Sequence, residues 1–428
     1  MLLIKNCKVL AGNEFLERSI LIGDDGKIEK VATSGLKTAD VVVDAAGKYA
    51  LPGLIDIHVH FREPGMTQKE DFLTGSRAAA AGGVTTIFDM PNTRPATTTV
   101  QLLEEKRKLA AAKCVVNYGL YMGATATNLE EVEKARNIPG VKLYMGSTTG
   151  DMAMTDKEKI RDFFHSGRKI VVHAEDEELM KRNMENFKGE NNSEIHAKIR
   201  SGEVALAAVK EAISIGGDIH ITHSSTKEEM KMIKAKGITC DVTPHHLFLT
   251  ADELKKQGNY AKMNPPLRSR EDVEALWMAV NDGTVNCIAT DHAPHTAEEK
   301  EKGYREAPSG VPGVQTMLSL LLDAVNKKRL TLQQLIRLTS ENPASLFSIK
   351  NKGKLAVAAD ADITLVDLKE EKTIKNDDML SKCGWTPFNG WKVKGAVAAT
   401  IVNGTVVYDE GAIMNEKTKG KEAIFNGK

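Results

Sequence analysis

Two histidines one residue apart, with an arginine two further on, are the side chains of this chain best suited to chemistry: His58-Val59-His60-Phe61-Arg62. Residues 51–59 read as a buried strand, with Leu51, Leu54, Ile55, Ile57 and Val59 as its apolar content. Side chains alternate faces along a strand, so His58 and His60 converge on one point and Arg62 continues the series. Two imidazoles and a guanidinium at the C-terminal end of a strand imply a metal with an anion receptor beside it. The bland alternative is a strand end that merely carries histidines, and the other strand ends decide between the two.

Those ends belong to a regular rhythm of apolar strand, polar turn and amphipathic helix. Strands are predicted over residues 51–59, 84–90, 114–120, 141–145, 169–173, 218–223, 239–244 and 285–291. Helices are predicted between them over 69–82, 100–112, 130–136, 157–164, 197–215, 227–235 and 273–281. Eight such units without a glycine-rich dinucleotide loop favour a closed (β/α)8 barrel, of the TIM type, over an open doubly wound sheet. The barrel is placed at residues 51–350. Residues 1–50 and 351–428 are β-rich, with hairpin signals at Asp25-Gly26 and Asn403-Gly404. Neither flank alone buries much core, so the two are predicted to join as one small β-sandwich domain.

In such a barrel the chemistry sits at the C-terminal ends of the strands. Reading those ends adds Lys142, His173, His223 and Asp291 to His58 and His60, so four of the eleven histidines share one rim. Imidazoles with a carboxylate suit Zn2+ and similar ions. Four histidines and an aspartate exceed what one catalytic ion needs, and two bridged ions are the more economical account. Lys142 is the odd member, because burying an unpaired ammonium in an apolar strand is costly. Carboxylated by CO2, its amine becomes an anionic oxygen donor able to bridge two ions. The alternative is a lysine that points outward and snorkels.

The segments ALPGLIDIHVHFREPG, GVTTIFDMPNT, GVKLYMG, IVVHAED, IHITHSS, DVTPHHL, MNPPLR and IATDHAPH resemble the amidohydrolase superfamily and, within it, the dihydroorotase family. The resemblance runs through the chain in order, including the split β region. It implies reversible cyclisation of N-carbamoyl-L-aspartate to dihydroorotate in pyrimidine biosynthesis, by a metal-bound hydroxide. By the same resemblance His58 and His60 hold one metal, His173 and His223 the other, and carboxylated Lys142 bridges them. Asp291 is implied as a ligand that doubles as the catalytic acid/base. Some relatives bridge with an aspartate a little after strand four, which leaves Asp151 open as the alternative bridge. Arg62, Asn92, Asn264 and His295 are assigned to substrate binding, and backbone groups of residues 309–313, including Pro312 and Gly313, to the substrate ring. His245 and His246 stand outside this set as rim groups behind it.

Related cyclic amidohydrolases, allantoinase and dihydropyrimidinase or hydantoinase, are the competing enzymes, and a non-catalytic dihydroorotase-like scaffold is a more remote one. Arg62 after His-Val-His-Phe discriminates, since it suits a carboxylated substrate. A scaffold is expected to lack ligands, and here the set is complete. Lys plus Arg equals Asp plus Glu at 58 each, so nothing draws the chain as a whole to nucleic acid or membrane. Five dispersed cysteines, no leader-like N-terminus and no long apolar run predict a soluble, cytoplasmic protein with free thiols. The expected partner is the small-molecule substrate. A homodimer, or association with another pyrimidine-pathway enzyme, is compatible with the sequence, which decides neither.

Overall fold

The computed structural model describes residues 1–148, 152–414 and 418–426 of the 428-residue chain, so Asp151 lies outside the described residues. Eight parallel strand positions close into a barrel. Leu54–Val59 pairs with Val84–Asp89, and that strand with Asn117–Leu120. After one residue the third position resumes as Met122–Gly123, which pairs with Val141–Tyr144. Ile170–His173, Ile219–Ile221, Thr239–Val242 and Cys287–Ile288 follow in register. A parallel bridge from His292 to Val59 shuts the ring. The (β/α)8 barrel expected from the strand–helix rhythm is the observed fold.

The strands are buried on both faces, as parallel strands under helices must be. Ile55, Ile57, Phe88, Tyr121, Val171 and Cys287 fill the interior. Outward residues such as Val141 and Leu143 pack against the helices in a separate, larger cluster. The helices start where capping side chains permit: Asp71 caps Phe72–Ala81, Thr226 caps Lys227–Lys236 and Ser269 caps Arg270–Asn281, each through a reciprocal capping box. Among the described residues no helix is long and apolar enough to cross a membrane.

Nine strands drawn from both ends of the chain form one further sheet. Its order runs from Ala412–Ile413 through Thr405–Asp409, Lys392–Val402, Ile363–Thr373, Tyr49–Pro52, Leu2–Ala11 and Glu14–Ile22 to Ile28–Ala32. Val41–Asp44 pairs beside Leu2–Ala11. The sheet is built over an apolar layer that includes Ile4, Val9, Ile20, Ile363 and Ile401. At the Asn403-Gly404 turn both residues have positive φ, 49° and 79°, as a type I′ hairpin requires. Residues 418–426 leave this sheet and run beneath the barrel, where Glu422 bridges Tyr118 and Phe425 packs on Phe88.

Three expected elements come out differently. The strand read over residues 51–59 is two strands: Tyr49–Pro52 belongs to the outer sheet and Leu54–Val59 to the barrel. Gly53 makes the transfer, passing so close to Thr85 that a Cβ there would lie 2.2 Å from its Oγ1. The last barrel strand is cut to Cys287–Ile288, because Thr290 gives its N–H to Asp56 instead of the ladder. The helix expected over 197–215 is broken, with His196–Ile199 ending at Arg200 and Gly202–Ile215 starting anew.

Candidate active site

His58 and His60 leave the end of the first barrel strand, and His173 is the last residue of the fifth. His223 follows Ile219–Ile221, and Asp291 follows Cys287–Ile288. Lys142 is the second residue of Val141–Tyr144 and points inward with Tyr144. These six predicted ligands line one cavity at the C-terminal end of the barrel. Arg62, Asn92 and Asn264 line the same cavity.

The donor atoms are arranged in two groups. His58 Nε2 and His60 Nε2 lie 3.2 Å and 3.0 Å from the same Asp291 oxygen. His173 Nδ1 lies 3.0 Å from His223 Nε2. Burial holds all four imidazoles below their usual pKa, so they are neutral rings with one N–H each. His60 gives its Nδ1–H to Asn92 Oδ1 at 2.7 Å, which turns the lone pair of Nε2 toward the Asp291 carboxylate. His173 gives its Nε2–H to Glu175 at 2.8 Å, which turns the lone pair of Nδ1 toward His223. The His60 lone pair facing an ionised carboxylate oxygen at such a separation needs a cation between them. Two ligands of a tetrahedral zinc, each at about 2.0–2.1 Å, stand roughly 3.3 Å apart, close to the separations here. The donor set therefore fits metal, with Asn92 and Glu175 as the groups that orient the ligands.

Lys142 is fully buried, and burial lowers its amine pKa from 10.5 to about 8, against the pull of Asp291 and Asp241. Its Nζ donates to the Thr222 hydroxyl at 3.1 Å and stands over the Tyr144 ring. The outward, snorkelling alternative is excluded. Asp291 is ionised: burial alone would raise its carboxyl, and the charged surroundings, Lys142 among them, outweigh that and hold it below the ordinary carboxylate value.

Arg62 forms the opposite wall. It is fully buried, with Nε donating to Pro294 O at 3.2 Å and Nη2 lying 3.2 Å from His295 Nε2. Among the described residues no carboxylate forms an ion pair with it, although burial lowers its pKa and an anion nearby would raise it again. Asn264 donates through Nδ2 to Thr148 and accepts from His196 Nε2 at 2.9 Å. His295 stands behind Arg62, bonded to Ser309 O at 3.0 Å, and does not line the cavity.

Pro312 and Gly313 do not reach the cavity either. The chain bridges from Val311 to His292, and Gly313 N–H donates to His292 Nδ1, so both residues line a separate crevice. Ser309 and Gly310 take the place on the wall. Gly310 has φ 141° and passes 2.5 Å from Ala293 O as measured from a hypothetical Cβ, an approach only glycine allows. Glu175, Tyr144 and Thr148 were missed by the sequence reading. Glu175 was findable, two residues after His173 and hence on the same rim. Arg62, His223 and Asp291 have left-handed backbones, with φ of 61°, 39° and 45°. Each costs on the order of 1–3 kcal/mol and marks a place where surrounding structure enforces the geometry.

A closed barrel carrying paired imidazoles, a carboxylate and an inward lysine matches the amidohydrolase family over residues 49–407. The chain belongs to the amidohydrolase family. Among curated amidohydrolase relatives, the dihydroorotase of Methanosarcina mazei is 38% identical, covering 99% of this chain and 98% of that one. The dihydroorotase of Halobacterium salinarum is 41% identical, covering 90% of this chain and 92% of its own. Among solved structures, the L-hydantoinase (dihydropyrimidinase) of Arthrobacter aurescens superposes with a TM-score of 0.94 at 30% identity, over 99% of both chains.

Proposed function

We infer that the chain is a metal-dependent dihydroorotase, interconverting N-carbamoyl-L-aspartate and dihydroorotate. The curated dihydroorotases support this reading at 38–41% identity, above the 30% of the hydantoinase neighbour. The observation that carries it is Arg62, a buried guanidinium on the cavity wall that no carboxylate among the described residues pairs with. Dihydroorotate brings one, and a bidentate arginine–carboxylate pair is among the strongest polar contacts available. Dihydrouracil and hydantoin carry none, and binding them would leave a buried charge uncompensated.

The metal reading is finer and rests on the donor set. His58, His60 and Asp291 would hold one Zn2+, supported by the clustering of their donor atoms, and His173 and His223 a second. An amine with a pKa of about 8 is neutral in an appreciable fraction of molecules near neutral pH. Neutral Lys142 Nζ can attack CO2, forming a C–N bond and releasing one proton, and the resulting carbamate would offer anionic oxygen donors to the metal. Bound in this way, the ions supply Lewis acidity and lower the pKa of water.

The chain's own groups do the rest. Arg62 fixes the substrate carboxylate, with Asn264 and the backbone at Ser309 and Gly310 also lining the cavity. Asp291, ionised at neutral pH, takes the proton of the attacking water. It then delivers that proton to the ring nitrogen as the amide C–N bond breaks; the biosynthetic direction reverses both transfers.

Purified chain assayed in parallel on dihydroorotate, dihydrouracil, hydantoin and allantoin tests the reading. Dihydroorotate is expected to be the substrate turned over, and Arg62→Gln to raise its KM at least about tenfold. Faster turnover of an uncarboxylated ring would overturn the assignment. Asp291→Asn is expected to lower kcat by about 100-fold or more, and full activity in that variant would remove the acid/base role.

A further inference from the structure

Three aspartates stand below the catalytic rim, fully buried, and none of them lines the cavity: Asp56, Asp89 and Asp241. They are spread over barrel strands one, two and seven. All three accept a backbone N–H of an adjacent strand end through one carboxylate oxygen, and the other oxygen stands against a side-chain cation or donor. Asp89 accepts the N–H of Phe61 at 2.6 Å and pairs through its other oxygen with Lys106 at 2.6 Å. Asp241 accepts the N–H of His223 at 2.6 Å and pairs with His220 Nε2 at 3.0 Å. Asp56 accepts the N–H groups of Thr290 and His58, at 3.0 Å and 3.2 Å, and the hydroxyl of Thr290.

The gripped residues are not arbitrary. Phe61 directly precedes Arg62, Thr290 directly precedes Asp291, and His223 is gripped itself. Arg62, Asp291 and His223 are the non-glycine residues with positive φ among the described cavity residues. A strand end that turns left-handed gives up its place in the ladder, and its N–H needs another acceptor. A carboxylate is the strongest acceptor a side chain offers, and here each one is itself immobilised by a second donor.

We propose that Asp56, Asp89 and Asp241 are positioning residues. Each clamps the strained strand end that aims one functional side chain: Asp89 for Arg62, Asp241 for His223, Asp56 for Asp291. The proposal rests on the roles given above to those three side chains, and it goes further in dividing them among three independent clamps. A carboxylate that only stabilised the barrel would not respect that division.

The test uses full-length chain carrying Asp89→Asn, Asp241→Asn or Asp56→Asn, with three readouts. These are zinc affinity of the metal-free protein by competition with a chromophoric chelator, and KM and kcat for dihydroorotate at saturating zinc. Asp89→Asn is expected to raise KM about tenfold or more with zinc affinity unchanged. Asp241→Asn is expected to weaken zinc binding by about 10–100-fold with KM unchanged. Asp56→Asn is expected to lower kcat by up to about 100-fold at saturating zinc. Should any of these fail to fold, Lys106→Gln, His220→Gln and Thr290→Val keep the carboxylate and free its second oxygen, and the same division is expected at smaller size. Parallel loss of all three parameters, following thermal stability, would overturn the clamps. Wild-type chain that fails to turn over dihydroorotate would instead overturn the substrate reading, and the zinc titrations would still judge Asp241.

Discussion

Two buried lysines, one where the outer sheet meets the barrel and one on the rim, show how partners give the same side chain opposite uses. Lys352 is 5% exposed and its Nζ lies 3.1 Å from Asp360 and 2.6 Å from Asp362. Burial would lower its pKa, but the two carboxylates outweigh that and raise it above 10.5. Asp362 also holds Asn117 of the barrel and Asn403 of the sheet, so the charge sits at a structural knot. Lys142 is more completely buried and has a hydroxyl where Lys352 has two carboxylates, and its pKa falls to about 8. Burial alone says nothing about function. In this pair the lysine held by carboxylates fastens the fold, and the one without them stands in the site.

The largest effect that separates the two lysines is in metal content. Lys142→Ala is expected to lose bound zinc and at least about a thousandfold in turnover, equivalent to roughly 4 kcal/mol of barrier. Short carboxylic acids added to the buffer should restore part of it by standing in for the carbamate. Metal analysis of the same sample decides: full zinc retention would transfer the bridging role away from Lys142, to Asp151 in the first instance. Lys352→Ala should behave in the opposite sense. Zinc content and KM are expected unchanged, while the urea midpoint falls by the equivalent of about 3–5 kcal/mol, the cost of stranding buried carboxylates. Loss of zinc from Lys352→Ala would erase the contrast.

How much of this was legible in the sequence follows the same line. Period-two spacing exposed His58 and His60, and the cost of an ammonium in an apolar strand exposed Lys142, because both are local statements. The strand–helix alternation carried the barrel for the same reason. What the sequence hid depends on residues far apart along the chain. Gly53 divides one apolar run between two sheets because of where Thr85 stands. Of the expected stretch 309–313, Ser309 and Gly310 line the wall and Pro312 and Gly313 do not, because Lys300 Nζ ties the carbonyls of Pro308 and Gly310, and Lys262 O takes the Gly310 N–H. No periodicity reports such ties. The three clamping aspartates were equally silent, since an aspartate inside an apolar strand reads only as an interruption until its neighbours are known.

The smallest expected effect is the most direct measure of the contrast, because the two lysines should respond to pH with opposite sign. The Lys142 pKa drops from 10.5 in the unfolded chain to about 8 in the folded one. Between those values the unfolded chain holds the proton and the folded chain does not, so unfolding free energy rises with pH across that window. The Lys352 pKa is raised instead, so its contribution is fully present below 10.5 and is lost only as pH climbs through the folded value. Urea unfolding of metal-free protein in CO2-free buffer reads both. Relative to Lys142→Met, wild type is expected to gain about 2 kcal/mol between about pH 8 and pH 10, at 1.36 kcal/mol per unit of pKa difference. Relative to Lys352→Met, its advantage should stay constant over the same interval. If the two differences move together, pairing is not what distinguishes the lysines, and the low pKa that makes Lys142 open to CO2 loses its physical basis.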